Sequence, residues 1–143
     1  MIIFENEYTC IEYDEESEIL FSRWKKYVTS ALYREAVTKY FEFRAQHHIT
    51  KVVSDTRNLP VITTSDAQWT AEMMKKYSKI PLKKNAVVVS QPTFTNLSIR
   101  MMLDEYNKSN ENPGNYNEGN NLRYFTSLEE AIAWVNEETQ EGI

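Results

Sequence analysis

The sequence predicts a single α/β domain, bordering on α+β, with a mostly parallel sheet of four or five strands and helices mainly on one face. Three observations predict it. Lys51–Ser54 and Asn85–Ser90 each carry adjacent apolar residues, Val52-Val53 and Ala86 to Val89, as strands covered on both faces do. Segments of helical periodicity alternate with such runs through the last two thirds of the chain. Upstream, two further strand-like segments are joined by the polar turn Asp14–Ser17. The order is ββαβαβαβα, and right-handed crossovers make the sheet mostly parallel.

The first strand, Tyr8–Tyr13, alternates polar and apolar residues, and the second, Glu18–Trp24, is apolar at Ile19, Leu20, Phe21 and Trp24. Ser30 is a favourable N-cap for a helix from Ala31 to about Gln46. On a helical wheel Leu32, Tyr33, Ala36, Val37, Tyr40, Phe41 and Phe43 fill one half, and only Arg44 intrudes on it. That arc is wider than one sheet covers, which predicts packing on a neighbouring helix or a homodimer. Strand Lys51–Asp55 leads to Pro60, which stops pairing. Ser65 with Gln68 three residues on reads as a capping box for a helix from Asp66 to about Ser78, on which Trp69, Met73 and Tyr77 recur every four residues. After strand Asn85–Ser90 come a helix from Leu97 to about Asn107, the long polar loop 108–121, and strand Leu122–Thr126. Ser127 with Glu130 forms a second capping box before the helix Leu128–Glu137. No internal repeat or linker divides residues 1–143.

Composition narrows the function classes. A net charge of −5 argues against a nucleic-acid binder, which needs a concentrated basic surface. The charge is uneven: seven acids and no base lie between Glu5 and Glu18, whereas Lys75, Lys76, Lys79, Lys83 and Lys84 cluster within ten residues. Both runs read as solvated faces. Cys10, the only cysteine, cannot form an internal disulfide, which fits a reducing compartment. The amino-terminal residues have no basic stretch ahead of an apolar run, and no segment approaches the roughly 20 apolar residues of a membrane span. The expectation is a soluble cytoplasmic protein without integral membrane association.

The residues of common catalytic constellations are missing or misplaced. His47 and His48 are the only histidines, and adjacent ones rarely converge on one metal ion. Gly114, Gly119 and Gly142 are the only glycines, so neither a dinucleotide fingerprint nor a P-loop can be formed. No motif pairs a histidine with Cys10 or a serine, and Cys10 reads as an inert thiol. The expectation is therefore no catalytic residues, no metal and no cofactor. The concentrated polar set is Asp55, Arg57, Asp66 and Gln68, at a strand-to-helix crevice of the kind where open α/β sheets bind ligands. A structural Asp to Arg pair with ordinary helix capping accounts for the same residues, and the sequence leaves both readings open.

TSALYREAVTKYFEF, VVSDTRNLPVITTSDAQW, KNAVVVSQPTF and YFTSLEEAIAW together resemble the SpoIIAA-like group of STAS-fold proteins, bacterial anti-sigma-factor antagonists sometimes grouped with Sec14-like domains. The resemblance covers nearly the whole chain. It implies a small sheet with helices mainly on one face, and a docking platform switched by phosphorylation of a serine at the start of the second helix. Thr64, Ser65 and Asp66 stand where that serine motif lies, which makes Ser65 the candidate phosphoacceptor. The motif's glycine just after the serine is replaced here by Asp66.

Two functions follow as expectations. The first is a non-catalytic regulatory module that docks another protein, of the regulatory kinase or sigma-regulator type, through Asp55, Arg57, Thr64, Ser65, Asp66, Gln68 and Trp69. The second is a carrier of a small apolar molecule or lipid, with Trp69, Tyr77, Phe94 and Tyr106 as pocket aromatics.

Overall fold

Short polar side chains, not glycines, turn the chain at its amino-terminal end. Asn6 Oδ1 accepts from the backbone N–H groups of Tyr8 and Thr9 at 2.7 and 2.9 Å, closing a turn between β1 (Ile2–Glu5) and β2 (Thr9–Asp14). Asp14 does the same before β3 (Ile19–Trp24), accepting from the N–H of Glu16 and the hydroxyl of Ser17. The computed structural model describes residues 1–26, 29–59, 62–77, 79, 82–90 and 121–137. Within them follow α1 (Ser30–His47), β4 (Lys51–Asp55), α2 (Thr64–Lys76), β5 (Lys84–Val88), β6 (Leu122–Phe125) and α3 (Leu128–Asn136). The helix expected from Leu97 lies outside the described residues, as does the expected polar loop apart from Asn121.

Among the described residues six strands form one sheet in the order β1-β2-β3-β4-β5-β6. The β1–β2 and β2–β3 pairs are antiparallel, whereas β3–β4, β4–β5 and β5–β6 are parallel. The α/β class is as the sequence predicts, but the sheet has six strands where four or five were expected. The additional one is β1, an edge strand of four residues whose register slips between Ile2 and Phe4. It is too short and too irregular to show a period-2 signal.

Strand alternation splits the core in two. Leu20, Val52 and Val87 pack beneath α1 and α2 on one face, with Ile11, Trp24 and Leu122. Ile19, Val53, Ala86 and Val88 pack beneath Ala131, Trp134 and Val135 of α3 on the other. Two of the three described helices thus share a face, and the valines expected to be buried are all buried.

The wide apolar arc of α1 finds cover within the chain. Tyr33 and Phe41 are buried; Phe41 stacks on Tyr77 with centroids 5.4 Å apart, and Phe43 meets Tyr13 edge-on at 5.5 Å. Among the described residues only Met1 and Ile2 are exposed large hydrophobics, while Leu32, Tyr40 and Phe43 of the arc are half-buried. Arg44, the intruder on that arc, is buried and donates from Nε to the Ile49 carbonyl at 3.3 Å, beyond the left-handed turn at His48 that ends the helix.

Two caps differ from expectation. Thr29, not Ser30, caps α1, accepting from Leu32 N–H, and Ser30 lies in the first turn. Thr63, not Ser65, caps α2, which therefore begins at Thr64; its Oγ1 accepts from Asp66 N–H at 3.1 Å. Ser127 caps α3 as predicted. Lys84 departs from the solvated lysine cluster: it is buried, and its Nζ donates at 2.8 Å to the Trp134 carbonyl, which also accepts from Glu137 N–H at the end of α3.

Candidate functional site

The expected junction surface divides into two clusters. Asp55 follows Val53 by two residues and so points to the α3 face. Arg57 grips its carboxylate with both ends of the guanidinium, Nε to Oδ1 at 2.9 Å and Nη2 to Oδ2 at 2.7 Å. Asp55 is buried and Arg57 exposed, and the same carboxylate accepts from Arg57 N–H, which makes the pair a closed turn. Hydrogen bonding to Asp55 raises the Arg57 guanidinium further above its already high value.

The second cluster lies on the other face, where the chain crosses to α2. Asp66 Oδ1 accepts from Ser30 Oγ at 2.7 Å and from Arg34 Nε at 2.8 Å, tying the first turns of the two helices together. Arg34 also donates from Nη2 to Ser65 Oγ at 3.2 Å and lies over the Trp69 ring, 5.0 Å from its centroid. Burial alone would raise the Asp66 carboxyl. The hydrogen bonds from Ser30 and Arg34 and the guanidinium charge outweigh it, so Asp66 titrates below its ordinary value. Ser65, Asp66 and Trp69 are thus brought together through Arg34. Thr64 and Gln68 are exposed on the same helix, and Asp55 and Arg57 are not part of this group. Asp66 is buried, and its carboxylate is held by Ser30 and Arg34 of its own chain.

The face beneath α1 and α2 also holds a cavity of about 140 Å³. It exists because small side chains meet there: Ser22 and Ser54 are register partners on β3 and β4, and Ala36 lies on α1 above them. Trp24, Tyr33, Tyr40, Phe41 and Met74 supply apolar and aromatic walls, and Arg44 lines it too. Several hydroxyls are satisfied internally. Thr9 Oγ1 donates to the Arg23 carbonyl, Thr56 Oγ1 to that of Val88, and Thr70 Oγ1 to that of Asp66, while the Tyr33 hydroxyl bonds Thr70 at 2.9 Å. Burial pushes the Tyr33 hydroxyl well up, so it is neutral at any physiological pH. Neither Trp69 nor Tyr77 lines this cavity, against expectation; both pack around α1 instead, Trp69 edge-on to Tyr33 and Tyr77 on Phe41. Phe94 and Tyr106 lie outside the described residues.

Sequence reasoning passed over Arg34, Ser22, Ser54 and Asn85. The serines and the asparagine had a signal, since each is a polar residue on the core-facing side of a strand that otherwise reads as buried. Cys10 is buried in β2, and burial with the nearby Glu5 carboxylate pushes its thiol up, away from the reactive thiolate. Among the described residues no group of three His, Cys, Asp or Glu side chains could hold a metal ion, and no helix is long and apolar enough to cross a membrane. Comparison of the chain with protein-family models and with curated proteins found no match.

Proposed function

We propose that this domain is a non-catalytic binding module that takes one small organic molecule into the cavity between its sheet and α1 and α2. The observation that carries this reading is the cavity itself. At about 140 Å³ it is close in size to an engineered cavity of about 150 Å³ that admits benzene. The cavity is open on one side beside a core packed with Leu20, Val52 and Val87, and an occupant gains contacts with its apolar walls. The size favours a single ring over a lipid, because a fatty-acyl chain has more than twice the carbons of benzene. The buried, unpaired Cys10 fits a cytoplasmic, reducing location.

Ala36→Leu tests the proposal, because it adds three carbons to the cavity wall without removing a polar group. Ligand retention should be abolished, and stability should rise by about 1–2 kcal/mol, somewhat less than the ~0.8 kcal/mol per buried methylene would give. A destabilised variant, or one that keeps its ligand, would overturn the reading.

A second reading is favoured by the exposure of Thr64, Ser65 and Gln68 beside the Arg34–Trp69 stack: a docking rim for another protein, with Ser65 as phosphoacceptor, as the SpoIIAA-like resemblance implies. A phosphate on Ser65 would meet Arg34 and the amino terminus of α2, and would compete with Asp66 for that guanidinium. Pull-down with Ser65→Asp and Gln68→Lys variants checks it; recovery of the same partners by both would remove it.

A further inference from the structure

The cavity contains hydrogen-bonding capacity that the protein does not use. Ser22 Oγ bonds Ser54 Oγ at 3.3 Å, a contact that spends one of the two hydroxyl hydrogens whichever serine donates. Asn85 lies on β5 in register between Val52 of β4 and Leu122 of β6, and its side chain faces the cavity. Its backbone N–H donates to the Asn121 carbonyl, but among the described residues its carboxamide has no hydrogen-bond partner. One serine hydrogen, the two N–H donors of the amide and its carbonyl oxygen therefore face the cavity. Thr9, Thr56 and Thr70, in contrast, all donate to backbone carbonyls. Asn85 is half-buried, and its carboxamide is the polar element that β5 contributes to the cavity wall, where an aliphatic residue would pack with Val52 and Leu122.

Resting on the cavity reading above, we infer that the ligand is a small, neutral, planar ring with a lactam-type edge, an N–H beside a C=O, as in a pyridone or a pyrimidinone. A carboxamide is the side chain that matches such an edge at two points. Asn85 Oδ1 accepts from the ring N–H while Nδ2 donates to the ring carbonyl. The unspent serine hydrogen serves a second acceptor on the ring, and the ring faces meet Tyr33, Tyr40 and Phe41.

Titration of isotope-labelled full-length protein with 2-pyridone, toluene and benzoate, followed by NMR, tests the assignment. 2-Pyridone should shift the Asn85 side-chain amide resonances and bind at least ten-fold more tightly than either control. Asn85→Leu should lose at least ten-fold in pyridone affinity while keeping or improving toluene binding. Toluene or benzoate binding as well as pyridone, or wild-type Asn85 resonances that pyridone leaves unmoved, would overturn the ligand class; this wild-type reading decides the matter even where Asn85→Leu does not fold. Toluene entry without a preference for pyridone leaves the cavity reading standing and rejects the lactam edge in favour of an apolar or water-filled site. Failure of all three compounds to enter rejects both.

Discussion

Asp66→Asn isolates what the charge at the head of α2 contributes. The carboxylate is buried, 5% exposed, and its hydrogen bonds from Ser30 and Arg34 end on Oδ1. Desolvation and pairing oppose each other here, and buried ion pairs are often no better than apolar replacements. The direction of the Asp66 titration decides between them: the carboxyl lies below its ordinary value of 3.8, so folding favours the charged form over the neutral one. Asparagine keeps an acceptor and loses the charge. Hydrogen bonds to charged groups are worth roughly 1.5–3 kcal/mol, and with Arg34 37% exposed the ion-pair part is screened, so the loss should be about 1–2 kcal/mol. Urea denaturation at neutral pH measures it. The pH dependence supplies a second reading. A carboxyl lowered in the folded state contributes stability that is fully present above its unfolded value, near 3.9, and is lost as pH falls through the folded value. Wild type should therefore lose stability below about pH 4 more steeply than Asp66→Asn. A loss under about 0.3 kcal/mol, or identical acid slopes, would refute the idea that this carboxylate ties α1 to α2.

The cap assignment separates two neighbouring hydroxyls. Thr63→Ala should cost about 1 kcal/mol in urea denaturation, and Ser65→Ala less than about 0.5 kcal/mol, because only Thr63 accepts from the helix backbone. Val88→Asp should abolish folding by circular dichroism, since Val88 is fully buried under α3 and an unpaired charge there costs several kcal/mol, comparable to the stability of a small domain. A folded Val88→Asp protein would contradict the two-faced sheet.

What the sequence makes legible is whatever repeats along the chain. The burial of Val52, Val53, Val87 and Val88 follows from their runs, and the Ser127–Glu130 box places α3 correctly because both halves of the pattern are local. β1 escapes notice because four residues with a slipped register carry no measurable alternation, and because Asn6 makes its turn with a side chain where a glycine would have been conspicuous. The α2 cap is misread for a related reason. Thr63 has Asp66 at the third position, and that acid is not the Glu or Gln of the usual box; its carboxylate bonds Ser30 and Arg34 of α1.

The site is harder to read because its partners are remote in sequence. Arg34 and Asp66 are 32 residues apart, as are Ser22 and Ser54, and nothing in either segment announces the other. Asp55 and Asp66 look like one junction along the chain. The pleat sends Asp55 to the α3 face, while the crossover carries Asp66 to the opposite one. The cavity is the product of three small side chains on three elements, which only the folded register brings together.

Native mass spectrometry of the protein purified gently from its own host, wild type beside Ala36→Leu, shows whether the cavity holds a ligand. Wild type should carry a one-to-one adduct of low molecular mass that is missing from the filled variant. Wild type that carries no adduct, or an adduct that persists undiminished in Ala36→Leu, would contradict the cavity reading.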